Sequence, residues 1–593
     1  MGQCDSAAAV IKNDAADHFR KRRIKRSVRS KEMSEEETMR EIISGSFAKE
    51  LDKYAITECG IPSLALMERA AHAVCERAEA VLSTYKDTVF VFCGTGNNGA
   101  DGLAAGAMLL ADGYIAVSAF CCGDPAKGSE EFSIQKKRFL EAGGILKIVE
   151  LDMLRAVAET EAAPALLIDA LFGIGLKRPV TGVFADVVET MNLLRNAGSY
   201  VISVDMPSGI DADGGKNMCA PLYPVHADET VTFGYAKTGQ YLDYGYGNCG
   251  LIHVAEIGYP AELPVHDRTD QALPVFRSTE EVFSEQSEAF LHRDGRANKG
   301  TYRKLLIIAG AKGMAGAAYL SGLAAYRSGI GMVKYFGPEE NRTILQQLLP
   351  EAMYEGWHTE TDQKETIILA AGTEKTLRKS LDWADIVILG PGMTTAACAE
   401  QLVELTLCAI AEDTRTPVII DADALNILAR RTDLWGLLDR DTVLTPHVGE
   451  LARLSGKMTA EVKRSLPETA LELAGRTGAN IVAKDCVTVI VEQDAGEDCA
   501  LYLNTSGCGA MAKAGSGDLL TGVIAGAYAV TGNFSDAIAA GVYLHGLAGE
   551  CAARHLGEHS TLARDIADAL GEAMRTAAER SGSGAGKRQN RKR

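Results

Sequence analysis

Lys513-Ala-Gly-Ser-Gly-Asp518 runs directly into the small, apolar stretch Leu519-Leu-Thr-Gly-Val-Ile-Ala-Gly526. Glycines allow the backbone to approach an anion closely, and the N-terminus of a helix offers unpaired N–H groups and a favourable dipole to negative charge. The junction therefore predicts a phosphate-binding loop followed by a helix that begins at the carboxylate. Because Asp518 would repel a second anion, we expect it to handle a proton or a hydroxyl group beside the phosphate.

Strand and helix patterns alternate in two series along the chain. In the first series, short apolar runs at 88–93, 165–169 and 200–205 predict buried strands, and each leads into a loop of glycine and polar residues. The second series predicts strands at 304–309, 385–389, 417–421 and 443–445, and a strand pair at 481–484 and 488–490. Buried strands separated by helices indicate parallel sheets, which bind ligands at the carboxyl ends of their strands. The predicted fold class is α/β, with two doubly wound domains.

The length of 593 residues exceeds what one core usually supports, and the 47% apolar content is enough for two. A stretch with proline and charge but without periodicity separates the two series and is interpreted as a linker. The expected organisation is a disordered basic tail at 1–37, a first domain at 38–262, a linker at 263–285, a second domain at 286–580 and a second disordered basic tail at 581–593.

Charge and cysteine usage limit the possible partners. The formal net charge is −18 although both ends are basic, so the body between the tails is strongly acidic and is not expected to bind nucleic acid. No apolar run is long enough to span a bilayer, and no signal-peptide pattern is present, so no membrane partner is expected. The 14 cysteines include no CxxC pair, which favours reduced thiols in a cytoplasmic protein.

The first polar loop is Gly94-Thr-Gly-Asn-Asn-Gly-Ala-Asp-Gly102, and a helix is predicted after it, over Leu103 to Leu110. The loop lacks both the GxGxxG and the GK[ST] pattern of the common nucleotide loops. Its two adjacent amides and its carboxylate offer oxygen atoms to a cation or to sugar hydroxyls, and its glycines leave N–H groups free for phosphate. An ordinary polar turn is the alternative interpretation. Asp169, Asp205 and Ser208 follow neighbouring strands, and such convergence at one sheet edge favours a site.

Three segments of the first half resemble the signatures of the NAD(P)HX epimerase family: Gly94 to Gly102, Asp169-Ala-Leu-Phe-Gly-Ile-Gly175 and Asp205-Met-Pro-Ser-Gly-Ile-Asp211. The resemblance implies a Rossmann-like domain that interconverts the R and S hydrates of NADH and NADPH, with K⁺ held by Asn98, Asp169 and Ser208. We expect Asp205 to act as the general acid and base. The substrate-lining residues that the resemblance implies are Asn97, Asn98, Gly99, Ala100, Asp101, Gly173, Ile174, Gly175, Leu176, Lys177, Arg178, Pro179 and Asp205.

Two residues of the first half leave a question open. Ala100 stands where the family usually has a glycine, and its methyl group would crowd the loop if this position needs a positive φ. Lys237 follows an apolar run, and it either reaches an anionic ligand or is a solvated surface lysine.

The second half resembles the NAD(P)HX dehydratase family, which is ribokinase-like, over seven ordered segments. They are Asn298-Lys-Gly300, 310–318, Leu389-Gly-Pro-Gly392, Asp421-Ala-Asp-Ala-Leu-Asn426, Thr445-Pro-His-Val-Gly-Glu450, 484–488 and Gly515-Ser-Gly-Asp518. The resemblance implies that ADP, with Mg²⁺, phosphorylates the hydroxyl of the S hydrate, so that AMP is released. Phosphate is then lost and the reduced nicotinamide is restored.

The dehydratase resemblance also assigns residues. Asp518 would be the base on the hydroxyl, and the hydrate would be held by Ala317, Gly392, His447 and Asp518; a surface role is the alternative for His447. The nucleotide would be held by Lys484, Asp485, Cys486, Val487, Thr488, Cys508, Gly509, Ala510, Met511, Ala512, Lys513, Ala514, Gly515, Ser516 and Gly517. Asp485 stands where the family commonly has glycine, and Val448 where it has proline. An inward-pointing Asp485 would weaken nucleotide binding.

The sequence thus favours a bifunctional repair enzyme for NADHX and NADPHX that uses ADP, and a homo-oligomer is expected. The preference for ADP over ATP rests on the resemblance of the fused arrangement to bacterial members. One alternative is a ribokinase-like small-molecule kinase with a non-catalytic N-terminal binding domain, because ribokinase-like folds share the Gly-x-Gly-Asp loop. Another is a binding scaffold with an inactive first domain.

Overall fold

The computed structural model describes residues 41–158, 163–259, 275–363, 365–414, 416–493 and 499–585. Within these ranges the chain forms two large sheets with helices on both faces, as the sequence predicts. The tail predicted at 1–37 lies outside the described residues, as does 586–593. No helix of the described ranges combines the length and the apolar character needed to cross a bilayer.

The first half contains a parallel sheet of seven strands in the order β4-β3-β2-β5-β6-β7-β9. The strands of this half are β1 (Ile42–Ile43), β2 (Val89–Cys93), β3 (Val117–Cys121), β4 (Ile145–Ile148), β5 (Leu166–Ala170), β6 (Tyr200–Val204), β7 (Glu229–Phe233), β8 (Ala236–Lys237) and β9 (Leu251–Ala255). The helices are α1 (Gly45–Thr57), α2 (Ser63–Val81), α3 (Asn97–Ala111), α4 (Glu130–Glu141), α5 (Leu151–Ala158) and α6 (Val183–Asn196), followed by the short turns Thr238–Tyr241 and Gly245–Asn248.

Alternate residues of these strands build two cores. Val91 and Ile202 pack with α2 and α3 on one face, whereas Phe92 and Val201 pack with α6 on the other. Successive side chains of a strand point to opposite faces, so a strand buried on both sides reads as a continuous apolar run. This explains why the strand patterns are visible in the sequence.

The second half contains a sheet of ten strands in the order β10-β21-β20-β19-β18-β17-β16-β11-β12-β13, in which only β20 is antiparallel to its neighbours. The strands are β10 (Arg277–Ser278), β11 (Lys304–Ile308), β12 (Met332–Pro338), β13 (Met353–Trp357), β14 (Thr359–Thr361), β15 (Ile367–Leu369), β16 (Ile386–Leu389), β17 (Val418–Ile420), β18 (Thr442–Leu444), β19 (Asn480–Ala483), β20 (Thr488–Gln493) and β21 (Cys499–Asn504). β14 and β15 form a separate antiparallel pair.

Helices cover both faces of the second sheet. They are α7 (Thr279–Leu291), α8 (Ala315–Ser328), α9 (Arg342–Leu348), α10 (Thr373–Leu381), α11 (Ala397–Ala409), α12 (Asp423–Leu428), α13 (Val448–Ser455), α14 (Thr459–Arg464), α15 (Leu466–Thr477), α16 (Ser516–Thr531), α17 (Phe534–Leu556) and α18 (Ala563–Ala585). Leu306 and Val387 face one core, and Leu305 and Ile386 face the other. Because α18 continues to Ala585, the predicted tail at 581–593 starts too early.

Two predicted helix starts are wrong. α3 begins at Asn97 instead of 103, so the polar residues of the first loop occupy the first turns of a helix. α16 begins at Ser516, and Asp518 is therefore its third residue. Gly515 precedes it with φ of +93°, a left-handed conformation that glycine adopts at little cost.

The predicted linker is partly ordered structure. Residues 260–274 lie outside the described residues, but Arg277–Ser278 pairs with Tyr502–Leu503 of the second sheet. α7 then places Phe283 and Phe290 in a core with α17 and α18. Residues 277–285 therefore belong to the second sheet and its helices, because their apolar side chains are buried there.

Ile42 and Phe276 connect the two halves. Each residue donates its backbone N–H to the carbonyl of the other, at 2.8 and 2.9 Å, and Ile42 also pairs with Ala236 of β8. The side chains of Ile42 and Phe276 share one buried cluster with Leu503 of the second sheet. The two halves therefore meet through backbone pairing and through a common apolar core.

Candidate functional site

Asp169 is the buried centre of the first candidate site. It lies in β5 near the carboxyl edge of the sheet and is fully buried. Its carboxylate accepts hydrogen bonds from Ser203 Oγ at 2.8 Å, from Ser208 N at 2.8 Å and from Ser208 Oγ at 2.5 Å. Burial raises the pKa of Asp169, and the hydrogen bonds from Ser208 and Ser203 oppose that rise. The structure thus brings Asp169 and Ser208 into direct contact.

Asn98 completes an oxygen-rich group with these residues. Its amide is buried, and its Nδ2 has no hydrogen-bond partner among the described residues. A Cβ atom added at Gly173 would lie 2.9 Å from Asn98 Oδ1, so the loop after β5 touches this amide. Ser208 Oγ accepts from the N–H of Phe172 at 2.9 Å. A carboxylate, a hydroxyl and an amide oxygen in one buried place fit a hard monovalent cation such as K⁺.

Asp205 follows β6 and is held by Lys237. Its Oδ1 accepts from Lys237 Nζ at 2.7 Å and from Thr232 Oγ1 at 3.1 Å, and its backbone carbonyl accepts from Gln240 Nε2 at 2.8 Å. Asp205 has a φ of +66°, a strained conformation for a residue with a side chain. Lys237 is buried, so its interpretation as a solvated lysine is wrong. The apolar run before Lys237 was the available signal for its burial.

Asp101 supplies a second carboxyl group to this site. It lies in the second turn of α3 and is 9% exposed. Burial, followed by the nearby charges of Asp205, Asp52 and Glu131, raises the pKa of Asp101 well above its usual range. Asp101 and Asp205 thus give this sheet edge two carboxyl groups, and a pair of carboxyl groups is a common arrangement for general acid–base catalysis.

Ala100 does not strain the first site. It is a helical residue of α3, fully buried in the core, and its φ is not positive. The position that requires glycine is Gly99, where a Cβ atom would lie 2.0 Å from the carbonyl oxygen of Gly94. The departure from the family at Ala100 is therefore compatible with the fold.

The expected lining segment, 173–179, follows β5 at the same sheet edge. Its members differ in their surroundings: Leu176 is buried, and Ile174 packs beside Ile43 and Met206. Lys177 is half exposed and pairs with Asp213 at 2.5 Å. The structure therefore pairs Lys177 with a neighbouring loop and leaves Arg178 and Pro179 exposed.

Lys484 is the central cation of the second candidate site. It follows β19, and its Nζ donates to Asp421 Oδ1 at 2.8 Å, while Thr445 Oγ1 donates to the same oxygen at 2.7 Å. A Cβ atom added at Gly517 would lie 3.2 Å from Lys484 Nζ. The ends of β17, β18 and β19 thus meet the N-terminus of α16, where an anion is favoured. Asp421 and Thr445 belong to quoted motifs, but the sequence did not assign them a role.

Asp518 lies beside Lys484 and Asp421. Burial and the charge of Asp421 raise its pKa to about 6, and Lys484 opposes the rise. Its backbone carbonyl accepts from Ser321 Oγ at 2.9 Å and from Thr521 Oγ1 at 2.7 Å, which ties α16 to α8. A carboxyl group with this pKa can exchange a proton near neutral pH.

His447 has a structural function beside the site. Its Nδ1 accepts from the N–H of Gly449 at 3.0 Å and caps α13, while its Nε2 lies 3.4 Å from Glu450 Oε1. Lys484 donates its N–H to the carbonyl of Pro446 at 2.8 Å, so His447 and Lys484 are neighbours.

Val448 is the first residue of α13, a position that suits proline because its N–H has no helical partner. Its side chain packs in the core instead.

The remaining predicted residues of the second domain are those expected to hold the hydrate and those expected to hold the nucleotide. Gly392, with φ of +62°, adjoins Ala317, because an added Cβ would lie 3.0 Å from the Ala317 Cβ. In the segment 508–517, Lys513 Nζ donates to the carbonyls of His559 and Thr561 at 2.5 and 2.6 Å, which anchors the loop. Asp485 and Cys486 are exposed, Val487 is buried and Thr488 is half-buried.

Asp485 lies near Asp243 of the first domain. Burial and then the charge of Asp485 raise the pKa of Asp243, which lies in the loop after β8. The structure therefore places Asp485 at the boundary between the domains, which the sequence could not reveal.

Comparison with known proteins finds a matching family for each half of the chain. A family model described as YjeF-related protein N-terminus matches residues 63–239, and one described as NAD(P)H-hydrate dehydratase matches 305–572. A bifunctional NAD(P)H-hydrate repair enzyme Nnr of Thermofilum pendens is 33% identical over 90% of this chain and 95% of the relative. The chain belongs to this family of bifunctional NAD(P)H-hydrate repair enzymes. The predictions of the family, of two α/β domains and of the enzyme class are thereby confirmed.

Two further proteins are similar. The Nnr enzyme of Moorella thermoacetica is 32% identical over 91% of this chain and 97% of the relative. A solved ADP/ATP-dependent NAD(P)H-hydrate dehydratase of Bacillus subtilis, co-crystallised with ATP and Mg²⁺, is 30% identical and covers 50% of this chain and 97% of its own, with a TM-score of 0.40.

Proposed function

We propose that the first domain interconverts the R and S hydrates of NADH and NADPH, and that the second dehydrates the S form with ADP and releases AMP and phosphate. The observation that carries this proposal is the presence of two complementary sites in one chain. One holds the two carboxyl groups of Asp101 and Asp205 and the oxygen-rich group of Asn98, Asp169 and Ser208, and the other holds Lys484 and Asp518 at a glycine loop.

In the first domain, we assign the acid to Asp101 and the base to Asp205. Asp101 donates its proton to the hydroxyl of the hydrated ring carbon as the C–O bond breaks, and the ring nitrogen supplies the electron pair. Water then attacks the opposite face of the ring and transfers a proton to Asp205, and the roles exchange in the reverse direction. Lys237 holds the Asp205 carboxylate in place. K⁺ bound by Asn98, Asp169 and Ser208 would supply positive charge to the bound hydrate.

In the second domain, the N–H groups of the Gly515–Gly517 loop and Lys484 would bind the phosphates of the nucleotide. Asp518 would take the proton of the hydroxyl as that oxygen attacks the terminal phosphorus, and the bond to AMP breaks. Loss of phosphate with a ring proton then restores the dihydronicotinamide. Mg²⁺ would neutralise the phosphates; it is usually bound through the phosphates and one or two carboxylates, and Asp421 is a carboxylate at this site that could supply such a ligand.

The decisive experiment mixes the protein separately with R and S hydrates and with ADP or ATP. We expect both epimers to recover the absorbance of the reduced nicotinamide, with ADP more effective than ATP. A stable phosphorylated hydrate without recovered absorbance would instead support the small-molecule kinase.

The proposal extends to the domain boundaries, the oligomeric state and the location of the enzyme. We propose that the epimerase domain spans 38–262 and the dehydratase domain 277–585, and that the enzyme is a cytoplasmic homo-oligomer. Sedimentation of the full chain measures the oligomeric state, and a fluorescent fusion in cells measures the location.

A further inference from the structure

The loop after β8 of the first domain forms a cleft with the second domain. The cleft has a volume of about 180 Å³ and is lined by Tyr241, Tyr246 and Gly247 on one side and by Val487 and Thr505 on the other. Tyr241 packs against the same apolar cluster that contains Val487, so one buried core continues from one side of the cleft to the other. Most of this loop lies beyond residue 239, where the match to the first family model ends.

The second-domain side of the cleft is continuous with the proposed nucleotide site. Val487 lies in the segment 484–488, and Thr505 precedes the loop 508–517 by three residues. Lys484 meets Gly517 at the phosphate end of the site. The three residues from Lys484 to Val487 span at most ~10 Å, so the cleft lies within the reach of a nucleotide whose phosphates occupy the loop.

Tyr246 stands between these two nucleotide segments. Tyr246 lines the same cavity as Val487 and Thr505, so its ring lies beside both segments. Burial, and then the thiols of Cys486 and Cys508, raise the pKa of its phenol. Gly247, with φ of +88°, makes the turn that follows the ring. Tyr246 nevertheless stays 44% exposed, so much of the ring surface is available to a ligand.

We propose that this cleft takes the base of the nucleotide, and that Tyr246 is the aromatic surface on which the base stacks. Val487 would cover the other part of the base. The first domain would thereby complete the nucleotide site of the second and determine its preference for a nucleobase over a bare phosphate. This inference rests on the proposed ADP-dependent function of the second domain.

The test compares two tyrosines of one loop in the full-length protein. Tyr246→Ala should weaken ADP binding, measured by calorimetry, about tenfold, since stacking of a base on an aromatic ring typically contributes that much or more. The KM for ADP should rise by a similar factor while kcat stays near the wild-type value. Pyrophosphate, which has no base, should bind both proteins equally.

Tyr244→Ala is the matched control, because Tyr244 is similarly exposed but its ring pairs with Tyr223, with the centroids 6.5 Å apart. It should leave ADP affinity unchanged. Tyr246→Phe should retain the affinity and Tyr246→Leu should lose it, which separates the aromatic ring from mere bulk. Epimerisation by each variant checks that the first domain is folded.

The proposal is overturned if Tyr246→Ala and Tyr244→Ala bind ADP equally well, or if Tyr246→Ala weakens pyrophosphate as much as ADP. Tyr246→Leu with wild-type affinity would overturn it as well. Failure of the proposed function looks different: the wild-type protein would then bind ADP but would not convert the S hydrate.

Discussion

Lys237 Nζ lies 2.7 Å from Asp205 Oδ1, and the two side chains are only 2% and 10% exposed. A buried ion pair is costly to break from one side, because the remaining charge is left without a partner. Lys237→Met should therefore lower the free energy of unfolding of the first domain by about 3–5 kcal/mol. Denaturant unfolding measures the change. The double variant Lys237→Met, Asp205→Leu is the control and should recover part of the loss, because no charge is then stranded.

Asp205→Asn separates the two activities. We expect conversion of the R hydrate to fall by about 10²–10⁴-fold, because the amide cannot accept the proton. Dehydration of the S hydrate should remain at the wild-type rate, since its site lies in the other domain. Parallel assays with the purified epimers measure both rates. An unchanged R-hydrate rate would favour a scaffold with an inactive first domain.

The pKa of Asp518 predicts a pH limb in the second activity. As a base it must be ionised, so kcat/KM for the S hydrate should fall as the pH drops below about 6. Glu450 is the competing group, because burial raises its pKa to about 7. Glu450→Gln should leave the limb near pH 6, whereas Asp518→Asn should abolish most of the activity. A limb that disappears in Glu450→Gln would assign the titration to Glu450 instead.

Ala100 and Gly99 form a matched pair in α3. Ala100→Gly should destabilise the first domain by about 1–2 kcal/mol, because a buried methyl group is lost and the helix gains a flexible residue. Gly99→Ala should cost about 3 kcal/mol or more, because its Cβ would collide with the Gly94 carbonyl. Thermal unfolding compares the two. A stabilised Ala100→Gly protein would show that the methyl group strains the fold.

Asp485 should influence nucleotide binding little. Its side chain is exposed, and charges in water are strongly screened. Asp485→Asn should therefore change the Kd for ADP by no more than about twofold. Calorimetry at low and high salt measures this. A tenfold gain in affinity would mean that the carboxylate turns toward the phosphates when ADP binds.

The strands were predictable, but several contacts were not. Runs such as Val89–Cys93 and Ile386–Leu389 are apolar on both faces and show where the sheets lie. The start of α3 was missed because Asn97, Asn98 and Gly99 are poor helix formers, and the burial of the helix from Gly99 onward overrides that preference.

Side-chain partners from distant segments were the harder part. Lys237 and Asp205 are 32 residues apart in the chain, and Lys484 and Asp421 are 63 apart. A single sequence shows that such residues occupy strand ends, but only the packed sheet decides which of them pair. The proximity of Asp485 to Asp243 depends on how the domains meet, which no local pattern encodes.

The backbone pairing of Ile42 with Phe276 has a consequence for dissection of the enzyme. A second domain produced alone from residue 275 would expose the Phe276 ring and two backbone groups that Ile42 now satisfies. Unpaired backbone N–H and carbonyl groups beside an exposed apolar ring invite pairing with another chain. Covalent fusion of the domains thus keeps Phe276 paired with Ile42 and prevents the second domain from self-associating at this place.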